Sequence, residues 1–189
     1  VPEALHPGLA VERFSDELLQ QAREKIIFAL DTSDLTKAAL LLKAVSPHVG
    51  MVKIGPEFMH TISRVFFDPT MHLGEATKDF LAARELVQSL RGRIFLDEKF
   101  SDIPTTVERT LRTLIVYGVR MITVHANAGS ESVFNVATFL KEHSSESRPL
   151  LLAVTVLSSF EENESELVFN RSLGAQVIEM ARQAKLAGA

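Results

Sequence analysis

The stretch RIFLDEKFSDIPTTVERT, residues 93–110, sets Asp97, Lys99 and Asp102 directly behind the apolar run Ile94, Phe95, Leu96. Its first part reads as a buried strand, and Pro104 as the opening turn of the helix that follows. Side chains alternate along a strand, so Asp97 and Lys99 are expected on one face and Glu98 on the other. Charged groups are costly to bury unpaired, and in parallel β/α proteins the strand end is where the chemistry sits.

The same arrangement recurs along the chain. Apolar runs at IIFAL (26–30), MVKIG (51–55), RIFL (93–96), MITV (121–124) and PLLLAVTV (149–156) alternate with helical patterns. Near-continuous apolar strands separated by helices predict a parallel sheet. Asp34 is placed to cap the helix LTKAALLLKAV (35–45), and Gly118 to close the helix that begins at Pro104. The last helical pattern puts Val177, Ile178 and Ala181 on one face and ends at Gly188. Between the second and third runs lie about a dozen residues more than a β/α unit needs, within 64–79. Residues 1–25 read as a helical lead-in and 26–189 as one α/β domain. Five β/α units leave two architectures open: part of a (β/α)8 barrel, which takes about 250 residues, or a complete doubly wound sheet.

Four more runs deliver a polar side chain to the same end. Asp31 closes the first, Lys53 lies inside the second, His125 follows the fourth and Ser158 the fifth. Lys53 within an apolar strand needs a carboxylate, from Asp31 or Asp97. Taken singly, His125 reads as a hydrogen-bonded histidine before it reads as a metal ligand. Asp102 reads equally as a helix cap. Glu161, Glu162, Glu164 and Glu166 read as a solvated loop.

Composition narrows the function classes. A net charge of -4 and pI near 5.9 argue against a nucleic-acid partner. The chain has no Cys, so disulfides and thiolate chemistry are excluded, as suits a cytoplasmic protein. The run LLLAVTVL (150–157) is too short to span a bilayer, and residues 1–14 lack a signal-peptide pattern. A soluble intracellular protein without membrane association is expected.

FLDEKFSDIPTTV resembles the D-x-K-x-x-D-I-P-x-T signature of the orotidine 5'-monophosphate decarboxylase family. ALDTSD, VKIG, TVHANAG and VTVLSS resemble that family's strand ends one, two, four and five, in order. The resemblance spans about residues 25–189. Thr105 stands where the family often has Asn.

The resemblance implies a cofactor-free, metal-free (β/α)8 TIM-type barrel that forms a homodimer with shared active sites. It further implies decarboxylation of orotidine 5'-monophosphate to UMP in pyrimidine biosynthesis. Lys99 would protonate C6 and Asp97 would face the departing carboxylate. Lys53 and Asp31 would complete the charged array and hold the ribose. Asp102, Ile103 and Thr106 would serve the neighbouring subunit, Ser158 would bond the pyrimidine, and His125 would lie close by. The chain would then cover strands 1–5 and lack strands 6–8, with the family's phosphate grip, and would be a poor catalyst alone. Two rivals share the pattern: a metal-dependent sugar-phosphate decarboxylase or aldolase, and a non-catalytic half-barrel binding module.

Overall fold

A computed structural model of the chain describes residues 15–67, 73–143 and 148–189. In chain order the elements are α1 (Asp16–Glu24), β1 (Ile27–Ala29), α2 (Leu35–Val45), β2 (Met51–Ile54), α3 (Pro56–Phe67) and α4 (Leu73–Ser89). They continue as β3 (Ile94–Phe100), α5 (Pro104–Leu114), β4 (Val119–His125), α6 (Ser130–His143), β5 (Leu150–Val154), α7 (Glu162–Phe169) and α8 (Leu173–Leu186).

The strands form one parallel sheet in the order β1-β2-β3-β4-β5. That order decides between the two architectures. A doubly wound sheet reverses direction at a switch point, whereas a barrel adds each strand on the same side of the last. One face is sealed by helices: Val52, Ile54, Ile94, Leu96, Ile122 and Val124 share a core with Phe58, Val107, Leu111, Val136 and Phe139. The opposite face carries Ile27, Leu150 and Leu152, which are 38%, 59% and 37% exposed. This is the inner wall of a barrel, seen from its first five strands.

Local chemistry explains most boundaries. The Asp34 carboxylate accepts the Thr36 and Lys37 amides at 2.8 and 3.0 Å, capping α2 as its sequence suggests. Gly118, at φ 74°, ends the 3-10 turn after α5 in the left-handed conformation that glycine tolerates. Within the lead-in, α1 is capped by Ser15; residues 1–14 lie outside the described residues, as do 68–72 within the extra stretch.

Several expectations need correction. The acidic segment after β5 is helical, because Glu161 and Glu164 form a reciprocal capping box that starts α7. Helix α8 packs through Met180 and Ala184, while Ile178 is 70% exposed. Asp102 is not the cap of α5: Ile103 occupies that position, and Asp102 accepts the Ile103 amide at 2.7 Å. Strand β3 does not stop at Leu96 but runs on through the charged residues to Phe100.

The end of the sheet away from the charges is tied down by backbone. Arg93 donates to the carbonyls of Gly50 (3.1 Å), Ser46 (2.8 Å) and Val49 (2.6 Å), joining β3 to the turn before β2. Gly50 lies against the backbone of Glu24, where a Cβ would collide with main-chain atoms. Gly50→Ala should therefore cost about 1–3 kcal/mol in thermal or urea unfolding, as overpacking does. Gly174→Ala, in open space on α8, should be neutral or stabilising by up to ~1 kcal/mol. Equal stabilities for the two variants would contradict this packing.

Candidate active site

The charged side chains meet where β2, β3 and β4 run side by side. Asp97 is 7% exposed, and its Oδ2 accepts from Lys99 Nζ at 2.9 Å and from Lys53 Nζ at 3.2 Å. Lys53 thus takes Asp97 rather than Asp31 as its carboxylate. Oδ1 accepts from the Thr123 hydroxyl at 3.0 Å. Three donors converge on one buried carboxylate, a charge-assisted arrangement stronger than neutral hydrogen bonds. Burial pushes the Asp97 pKa up, but the bonds from Lys99, Lys53 and Thr123, with the charge of Lys99, outweigh it and hold it below 3.8.

The cluster rests on a break in the β3–β4 ladder. Leu96 pairs with Ile122 and Phe100 with Val124, so Asp97, Glu98 and Lys99 together oppose Thr123 alone. Such a bulge re-aims side chains at the rim of a barrel. Lys99 absorbs the extra chain length at φ 51°, a conformation costing a non-glycine residue on the order of 1–3 kcal/mol. The pairing of Asp97 with Lys99 is reached through this bulge rather than through regular strand alternation.

Two neighbours are electrostatically unusual. Glu98 is half-buried and its Oε1 is enclosed without a hydrogen-bond partner. Burial raises its pKa above 4.5, with Asp97 adding to the rise and His60 and Lys99 opposing it. His125 also encloses an unpartnered nitrogen, Nδ1. Burial, then the charge of Lys99, lowers its pKa below 6.5 against the opposing effect of Asn127, so its imidazole is neutral at pH 7.

Among the described residues, the remaining sequence-predicted positions make no hydrogen bond or ion pair with the cluster. Asp31 is exposed and lies beside Gly55 at the end of β2. Asp102, Ile103 and Thr106 are exposed at the start of α5, with Ile103 64% exposed. Ser158 is exposed in the segment after β5. The residue that sequence reading missed is Thr123. Within MITVH it passes for a β-branched strand residue, and only the register shows that it faces the bulge. Among the described residues no group of three His, Asp or Glu side chains is gathered as a metal site.

A parallel sheet wound in one direction, with a lysine–aspartate–lysine cluster at its strand ends, defines a (β/α)-barrel with a strand-end site. The model of the orotidine 5'-phosphate decarboxylase / HUMPS family matches residues 24–189, and the chain belongs to that family. The orotidine 5'-phosphate decarboxylase of Moorella thermoacetica is 34% identical over 172 residues, covering 88% of this chain and 62% of that protein. That of Geotalea daltonii is 34% identical over 170 residues, covering 89% and 64%. The chain therefore spans a little over three-fifths of these relatives' length. A crystal structure of orotidine 5'-phosphate decarboxylase from Lactobacillus acidophilus superposes with a TM-score of 0.67 at 28% identity, covering 87% of this chain and 68% of that one. This chain corresponds to the first five strands of such a barrel and their helices.

The raised pKa of Glu98 has a stability consequence. Between 4.5 and its folded value the native state holds a proton that the unfolded chain has lost, so stability falls as pH rises through that window. Glu98→Gln removes this dependence. Its melting temperature should exceed the parent's by about 2 °C or more at pH 7, with the difference shrinking towards pH 4. A difference independent of pH would show that Glu98 ionises freely.

Proposed function

We propose that this site decarboxylates orotidine 5'-monophosphate to UMP, in the cytoplasm, without metal or cofactor. The observation that carries the reading is the sharing of Asp97 Oδ2 by two lysine ammoniums at 2.9 and 3.2 Å. Lys53, Asp97 and Lys99 sum to one positive charge at the end of an otherwise apolar wall, which suits an anionic substrate. Breaking the bond from C6 to its carboxylate releases CO2 and leaves the electron pair on C6. An ammonium fixed beside that carbon stabilises the developing charge and then gives it a proton. Lys99 is the donor and regains its proton from water. Asp97 holds both ammoniums in place before substrate arrives and sets a negative charge against the carboxylate that must leave.

The outlying residues fit a site completed by a second copy of the chain. Asp102, Ile103 and Thr106 are exposed at the start of α5 and are free to reach a neighbouring subunit, as expected of a homodimer with shared sites. Asp31 beside Lys53 would hold the ribose hydroxyls. Ser158 would bond the pyrimidine, and neutral His125 would border the site without competing for the proton. Helix α1, whose Glu24 lies against Gly50, would cover the barrel end tied by Arg93.

The test follows loss of orotidine 5'-monophosphate absorbance in the natural protein that carries these residues, with and without chelator. Turnover should resist the chelator, and Lys99→Ala should lose at least a thousandfold in rate, about 4 kcal/mol of transition-state stabilisation. A Lys99→Ala protein keeping a tenth of the parent rate, or abolition by chelator, would sink the proposal.

A further inference from the structure

We infer that Thr123 is a positioning residue, whose single hydroxyl locks the Asp97–Lys99 bulge into the geometry that pairs both lysines with one carboxylate oxygen. This deepens the function proposed above and rests on it only for its catalytic meaning.

The hydrogen-bond count fixes the direction of the chain. A threonine hydroxyl has one proton to give. Asp97 is ionised, so that proton goes to Oδ1 at 3.0 Å, and the lone pair is left to accept the Lys99 amide at 2.9 Å. The sequence Lys99 N–H to Thr123 Oγ1 to Asp97 Oδ1 closes a ring around the two extra residues of the bulge. Thr123 is 4% exposed, so no water substitutes freely for either bond, and successive bonds of this kind strengthen one another.

Each end of the ring performs a different task. At the backbone end, the bond satisfies an amide that the broken ladder leaves unpaired, and it holds Lys99 at φ 51°. At the carboxylate end, engaging Oδ1 turns Oδ2 towards both ammoniums. Glu98, between them, has no bond to hold its Oε1. A β-branched side chain suits the role, because χ1 of threonine is restricted and the hydroxyl stays aimed. Serine would keep both bonds, and valine would keep the shape and lose both.

The test measures two NMR quantities in the chain, neither of which depends on turnover. One is the titration midpoint of the Asp97 carboxyl carbon and the other the exchange rate of the Lys99 amide. In the parent that amide should be protected at least tenfold more than the exposed Ser101 amide. In Thr123→Val the Asp97 midpoint should rise and the Lys99 protection should drop about tenfold, while Thr123→Ser restores both. If Thr123 merely filled space, the valine variant, which keeps that shape, would leave both signals in place. An unmoved Asp97 midpoint in folded Thr123→Val, or a serine variant that behaves like valine, overturns the inference. If the valine variant does not fold, an unprotected Lys99 amide in the parent overturns it alone. Failure of orotidine 5'-monophosphate turnover leaves both readouts intact and bears only on the proposed function.

Discussion

One buried carboxylate organises the charged end of this sheet. Asp97 takes two ammoniums on one oxygen and a hydroxyl on the other, so Lys53 from β2 and Lys99 from β3 are held together across neighbouring strands. Without it, two like charges would face each other in a partly dry setting, each lacking a partner. An unpaired buried charge is costly enough that the strands would not keep those side chains inward. The pair is part of the strand register: Lys53 stands level with Phe95, one inward step before Asp97.

The barrel supplies what such a cluster requires. Helices seal one face, and the charged cluster lies at the strand ends on the other. A bulge in β3 then spends conformational strain at Lys99 to bring its ammonium back onto Asp97. Strain of this kind persists only where surrounding bonds over-determine it. Here Thr123 and Asp97 together do so, from two directions.

Much of this was legible in the sequence because it rests on local rules. Apolar runs at regular spacing gave the strands, Asp34 and Gly118 the helix limits, and the D-x-K-x-x-D-I-P stretch the charged strand end. What escaped depends on pairing between segments. The bulge is invisible in 93–110 alone, since only the offset against β4 shows three residues opposite one. Thr123 is silent for the same reason. The choice of Asp97 over Asp31 as partner of Lys53 is a matter of distance across a sheet. The α7 helix was missed because four glutamates read as a solvated loop, when two of them in fact satisfy its first backbone amides.

The most direct test of Asp97 as the common anchor is proton-coupled nitrogen NMR of the lysine side chains at neutral pH. Ammonium signals of free surface lysines are broadened by exchange with water, whereas those held in ion pairs persist. In the parent chain both Lys53 and Lys99 Nζ should be visible, and Asp97→Asn should remove or shift the two together. If only one of them changes, or neither does, Asp97 does not hold both lysines and the account of the site fails.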